Sequence, residues 1–255
     1  MPSIKLTDVG MDFRISHVSQ NRLLHPEFFR EFLGGKLGIT ARNQLIISAL
    51  DGISIDINEG TRLGILGHNG SGKSTLLRVM ANIYAPTRGS VTTDGIISTL
   101  FSISLGLDED LTGRDNIRLQ GLVFGMTANE IEDALPDIEE FTQLSDFLSL
   151  PIRTYSSGMR ARLSFAVATA LKPDILLLDE VIGAGDAAFM NKANERLEQM
   201  LEDANILVIA SHSNDIIRKF CNQAIVLEKG NLVHFGAVEE SIEVYAKRVA
   251  EVSSH

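Results

Sequence analysis

The sequence has almost no cysteine: Cys221 stands alone in 255 residues. One thiol cannot close an internal disulfide, and Lys219-Phe220-Cys221-Asn222 brings no second cysteine or histidine at metal-ligand spacing. Disulfide staples and a cysteine-based metal centre are thereby excluded, and Cys221 reads as a structural thiol rather than a reactive one. Long apolar runs are missing too. Nowhere do roughly eighteen apolar residues follow one another, the length a membrane-spanning helix needs, and Met1-Pro2-Ser3-Ile4-Lys5 carries no apolar signal core. The expectation is a soluble, cytosolic chain. A basic excess is the third absence. The net charge of −10 opposes general binding to DNA or RNA, which rests on neutralised phosphates, so no nucleic-acid partner is expected. Arg153, Arg160, Arg162, Lys172 and Arg218 are scattered along the chain, as ordinary surface charge is. Internal repeats and low-complexity tracts are also lacking. What is present, 44% hydrophobic residues over this length, suffices for one large α/β domain carrying a smaller lobe.

Within that frame one motif is dense. Gly67-His68-Asn69-Gly70-Ser71-Gly72-Lys73-Ser74 has the spacing of a P-loop, which holds nucleotide phosphates on backbone N–H groups and one lysine. The apolar run Arg62-Leu63-Gly64-Ile65-Leu66 before it reads as a buried strand, and Thr75-Leu76-Leu77-Arg78-Val79-Met80 after it reads as a helix start. Glycines at 67, 70 and 72 let the backbone curl until its amides converge, and the following helix aims its positive end at the same point. The loop and the first helical turn through Thr75 are expected to bind a nucleoside triphosphate, with the Ser74 hydroxyl on its Mg²⁺.

The rest of the chain surrounds this motif with a recognisable order. Residues 3 to 9 alternate enough for a strand, and Ser48-Ala49-Leu50-Asp51-Gly52-Ile53-Ser54-Ile55-Asp56-Ile57 alternates as a half-exposed antiparallel strand would. Between them, residues 15 to 47 form a long polar insert. Inside it Phe28, Phe29, Phe32 and Leu33 share one face of a short helix ended by Gly34-Gly35. That face has two readings: it packs on its own domain, or it meets a partner or a membrane interface. From Leu105 to Leu171 the pattern turns helical, with breaks expected at Gly113, Gly125 and Pro136. Apolar runs at 173–178 and 205–210, with a helical pattern from Ala188 to Glu202 between them, make a βαβ unit and favour a parallel sheet. The tail from Val238 to Val252 carries Ile242, Tyr245 and Val249 at helical spacing, as an amphipathic closing helix would.

Chemistry beyond phosphate binding points to Asp179-Glu180, two carboxylates ending the apolar run Ile175 to Leu178. In P-loop enzymes an aspartate there holds Mg²⁺, directly or through water. Glu180, one residue on, is placed to act as general base on a water facing the γ-phosphate.

With these residues in view, the chain resembles the nucleotide-binding subunits of ATP-binding-cassette transporters. Tyr155-Ser156-Ser157-Gly158-Met159 stands where that family has its Leu-Ser-Gly-Gly-Gln signature; Gly183-Ala184-Gly185-Asp186 stands at its D-loop; His212, in Ser211-His212-Ser213, matches its switch histidine. The resemblance implies an α/β P-loop NTPase with a mixed sheet core, an antiparallel β layer and a smaller helical subdomain. Its boundaries fall at 1–104 and 172–237 for the catalytic core, 105–171 for the helical subdomain and 238–255 for the closing helix. It implies ATP and Mg²⁺ as ligands, Lys73, Glu180 and His212 as catalytic residues, and Asp179 beside Ser74 on the metal. Ser156, Ser157 and Gly158 would bind the γ-phosphate of ATP held by a second copy, in a head-to-tail dimer. Ser156 also reads as an ordinary helix N-cap, which would use the same oxygen. Phe13 fits the adenine-stacking aromatic, and fits plain core as well.

Two departures from the family pattern stand out. Ser157 and Met159 replace a glycine and the glutamine of the signature, and Ile97 to Ser104 contains no Q-loop glutamine, leaving Ser102 as the candidate for that metal contact. Together with the Gly-Ala-Gly-Asp D-loop, the long insert, and Ser104 to Ile117, these departures resemble the subgroup that exports O-antigen, capsule or teichoic acid. The resemblance then implies a membrane permease as partner, a lipid-linked glycan as cargo, and a position on the cytoplasmic face of the inner membrane. With the chain ending at His255, no added carbohydrate-binding domain is expected. A non-transport cassette protein would bring paired cassettes or coiled-coil inserts, and an importer or drug exporter would bring an intact Q-loop glutamine.

Overall fold

The alternation of Gly52-Ile53-Ser54-Ile55-Asp56-Ile57-Asn58 is played out in space: the three isoleucines are buried and the residues between them exposed, as a strand with one wet face requires. The computed structural model describes residues 1–15, 36–39, 45–100, 107–179 and 187–253. Two compact units emerge, one of residues 1–95, 177–180 and 205–255, the other of residues 96–176 and 181–204.

In the first unit, β1 (Ser3–Ile15), β2 (Lys36–Ile39), β3 (Leu45–Asn58) and β5 (Arg88–Asp94) form an antiparallel sheet of order β2-β3-β1-β5. The pairing of β1 with β3 slips in the middle: Met11 faces Leu50 but Asp12 faces Ser48. Ala49 is therefore the extra residue of a β-bulge, a device that re-aims a side chain and sharpens twist. The second sheet is built around β4 (Arg62–Leu66), which lies parallel to both β8 (Ile206–Ala210) and β9 (Gln223–Glu228). Beyond β9 comes antiparallel β10 (Asn231–Ala237); beyond β8 comes β7 (Ile175–Asp179), with the short β6 (Ile97–Thr99) last in order. A mixed sheet results, with β4 and β8 buried almost throughout.

Three helices belong to this unit: α1 (Lys73–Met80), α6 (Asn214–Phe220) and α7 (Val238–Ser253). Along α7, Val238, Ser241 and Ile242 are buried, and Ser241 Oγ donates to the carbonyls of Ala224 and Ala237. Val249, expected to share this inward face, is instead exposed. Beside it Arg248 pairs with Glu228, so this stretch of α7 meets the sheet through charge. Cys221 is half-buried just past α6. Burial pushes its thiol up to about 12, so little thiolate exists near neutrality. Iodoacetamide at pH 8 is therefore expected to label the folded chain about 10²- to 10³-fold more slowly than a free cysteine; labelling at the rate of the urea-unfolded chain would contradict this.

The second unit is helical: α2 (Gly113–Val123), α3 (Ala128–Thr142), α4 (Ser157–Ala170) and α5 (Ala187–Asp203), with 3-10 turns at Ser145–Ser149 and Ile152–Thr154. Thr127 and Glu130 close a capping box on α3, and the two hydrogen bonds from Thr127 hold the Glu130 carboxyl below the usual range. Pro136 does not break α3 but sits inside it. The cost of one lost backbone bond is met by the capping box and by the buried side chains of Ile131, Leu135, Ile138 and Phe141. Gly113 is no break either: it opens α2, where a Cβ would lie 2.3 Å from Tyr155 Oη. Gly125, at φ +87 just past α2, does end a helix.

Helix α5 groups with this unit and not with the first, whereas the sequence places it in the 172–237 core. Buried Phe189 is the reason, meeting Phe141 at 5.5 Å and Phe165 at 6.1 Å between ring centres. The scattered basic residues are committed locally: Arg153 pairs with Asp110, Arg160 with Glu109, and the Arg162 guanidinium lies 5.1 Å from the Phe189 ring centre.

Candidate nucleotide site

Strand β4 is apolar because it is flanked on both edges and both faces; Leu63 and Ile65 are fully buried, and Gly64 is small because a Cβ there would lie 2.7 Å from Ile217. Its end delivers the loop from Gly67 to Gly72, which turns back at once into α1. Gly72 caps that helix at φ +108 with no side-chain hydrogen bond. The first amides of a helix have no intrahelical acceptor, and here no side chain substitutes for one. Lys73 is almost wholly buried, and its Nζ donates to the carbonyls of Gly67 at 2.7 Å and His68 at 3.1 Å. The loop is thus wound around the lysine head. Ser71 is fully buried, with its Oγ lacking a hydrogen-bond partner among the described residues, and it would lie 2.4 Å from a Cβ on Gly67. The same Cβ would lie 2.6 Å from the Leu227 carbonyl. Nothing larger than glycine fits at 67.

A cavity of about 380 Å³ opens over this loop, lined by Ala49, Asn69, Gly70, Gly72, Lys73, Ser74, Thr75, Asp179 and His212. Residues far apart in sequence are brought together here. Asp179 arrives as the last residue of β7, after three fully or nearly fully buried leucines, and His212 arrives just past β8. A lysine, a hydroxyl, a carboxylate and an imidazole surround one space large enough for a triphosphate. Gly67, His68 and Ser71 are absent from the lining; their part is to shape the loop, with Ser71 N–H bonded to the His68 carbonyl at 3.1 Å and the His68 ring against the Asn69 carbonyl at 2.7 Å.

Phe13 does not line the cavity. It stands on β1 opposite Ile47, half-buried, with its ring edge-to-face on Tyr84 at 5.7 Å; the core positions of β1 are Ile4, Leu6, Val9 and Met11. In the helical unit, Ser156 is the N-cap of α4, its Oγ accepting from Met159 N–H at 3.2 Å. Ser157 and Gly158 occupy the first turn and are exposed. Glu180, Ser102, residues 183–186 and the aromatic segment 28–33 lie outside the described residues. Sequence reasoning missed Ala49, which reaches the cavity by the β3 bulge; a bulge leaves no mark in an Ala-Leu-Asp run.

A mixed sheet with a glycine-rich loop between its central strand and a helix, facing a strand-end aspartate, defines a P-loop nucleoside triphosphatase. Residues 50–183 match the ABC transporter family. Among curated relatives, the O-antigen export system ATP-binding protein RfbE of Yersinia enterocolitica is 41% identical over 96% of this chain and 100% of its own. RfbB of Myxococcus xanthus, also an O-antigen export ATP-binding protein, is 35% identical over 98% of this chain, which spans 57% of that protein. The teichoic acids export ATP-binding protein TagH of Bacillus anthracis is 38% identical over 77% of this chain and 36% of its own length. A dimeric ATP-binding cassette solved with ADP and phosphate superposes with a TM-score of 0.62 at 22% identity, covering 92% of this chain and 98% of that one, which speaks for the fold. This chain belongs to the ABC transporter family, as one of its ATP-binding, ATP-hydrolysing subunits.

Proposed function

We propose that this chain powers the export of a lipid-linked cell-surface polysaccharide of the O-antigen, capsule or teichoic acid kind. The observation that carries the cargo is the relatives' agreement: proteins named for O-antigen export match nearly the whole chain, and one for teichoic acid export matches 77% of it. Among the described residues no helix is long and apolar enough to cross a membrane. In this reading a separate permease provides the translocation path, and this chain serves it at the cytoplasmic face of the inner membrane.

ATP is taken by the loop amides and Lys73, whose charge and donors suit the β- and γ-phosphates. Ser74 and Asp179 present oxygen donors to the same cavity, a hard-cation set that fits Mg²⁺, and they would hold it beside the phosphates. When bound, Mg²⁺ neutralises charge on the phosphate oxygens. Glu180, directly after Asp179, takes the proton from the attacking water, and His212 touches the γ-phosphate and orients that water. Ser102 would take the place of the Q-loop glutamine on the metal, and Phe13, packed on Tyr84 beyond the cavity lining, would offer its ring to the base. Ser156, Ser157 and Gly158 of a second copy close over the γ-phosphate with α4's positive end, so two chains hold two ATP molecules.

Loss of this chain in its organism of origin is expected to strip the polysaccharide from the surface, with the lipid-linked glycan accumulating inside. Membrane purification should bring down a multi-span partner with that lipid. Normal surface glycan in the null strain would overturn the assignment.

A further inference from the structure

The β9–β10 hairpin approaches the phosphate loop through the Leu227 carbonyl, beside Gly67, and through its two-residue turn, which is hydrogen-bonded to Ser71. Lys229 and Gly230 both have positive φ, +47 and +80, between the paired residues Glu228 and Asn231. That is the turn whose twist matches a two-residue hairpin. Gly230 N–H donates to the Ser71 carbonyl at 3.0 Å, and its own carbonyl accepts from Asp51 N–H at 2.8 Å. One residue thus ties the phosphate loop to β3 just past its bulge.

The bulge completes the junction. The Ala49 carbonyl would lie 2.7 Å from a Cβ on Gly72 and 2.7 Å from a Cβ on Gly230. Three backbones, from β3, the phosphate loop and the hairpin turn, meet at a distance only glycine permits, and Ala49 itself lines the cavity. A side chain at 230 must move either the Ala49 carbonyl, which bears on Gly72, or the turn, which pulls on Ser71. Both displacements arrive at the phosphate loop.

We infer that Gly230 is a positioning residue for nucleotide binding: it sets the phosphate loop through Ser71 and the Ala49 bulge without touching the nucleotide. The inference rests on the assignment of Gly67 to Thr75 as the phosphate-binding loop. In the full-length chain, Gly230→Ala is expected to lower kcat/KM for ATP about 10²-fold, the cost of misplacing a binding group by about 1 Å, with most of the change in KM. A variant that is folded by circular dichroism and keeps the wild-type KM would overturn it. Should Gly230→Ala not fold, amide exchange in the wild-type chain decides. Saturating Mg·ADP is expected to slow exchange at Gly230 and Asp51 at least tenfold, and more than at Phe235 further up the hairpin. Equal protection at all three, or none, overturns the inference. If Mg·ADP does not bind the wild-type chain at all, the loop assignment itself fails and this inference falls with it.

Discussion

Lys73→Ala is expected to weaken ATP binding about 10- to 10²-fold, because hydrogen bonds from a charged donor contribute about 1.5–3 kcal/mol. The effect should be near the upper end of that range. The lysine head is almost wholly buried and already held by the Gly67 and His68 carbonyls, so it meets phosphate without ordering a free side chain. Without it those two carbonyls lose their donor and the loop loses the post it is wound around. The cleanest measurement is thermal unfolding at rising ATP concentration. A ligand that binds only the folded state at a hundred times its Kd stabilises by about 2.7 kcal/mol, and that rise should largely disappear in the variant, whose midpoint without nucleotide also falls because the two buried carbonyls lose their donor. An undiminished rise would sink the P-loop assignment.

Glu180→Gln is expected to abolish turnover and spare binding. Glutamine keeps the shape of the side chain and loses the basic oxygen, and a positioned general base is worth about 10²- to 10⁴-fold in rate. Asp179, its neighbour in sequence, lines the cavity. The variant should therefore bind ATP with wild-type affinity and accumulate as an ATP-bound dimer on size-exclusion chromatography. Hydrolysis at the wild-type rate would remove Glu180 from the mechanism.

Local pattern carried much of this far. The isoleucines of β3, the run before Gly67 and the leucines before Asp179 each announce a strand by what they bury, and each is one. Less legible was what depends on distant partners. Pro136 reads as a stop because its own peptide loses a donor, yet the buried face of α3 overrides that. The grouping of α5 turns on Phe189 meeting Phe141 and Phe165, three rings that no periodicity links. The closeness of Ala49, Gly72 and Gly230 is likewise invisible until the chain is folded, since only the Cβ each glycine lacks reveals it. Lys73, Ser74, Asp179 and His212 stand out in the sequence one by one, whereas the cavity they share had to be seen.

The place of β4 in its sheet also bears on how the molecule comes into being. Its two neighbours, β8 and β9, are made from residues 206–210 and 223–228, long after the ribosome has delivered residues 62–66. Antiparallel β1, β3 and β5 can pair early from nearby stretches, but the strand that carries the phosphate loop stays half-built until residues 206–228 have been made. Contacts so distant in sequence form slowly, and a nascent chain holds exposed apolar strand edges while it waits. The sheet that presents the phosphate loop therefore cannot close around β4 until residues 206–228 exist, well over a hundred residues after the loop itself.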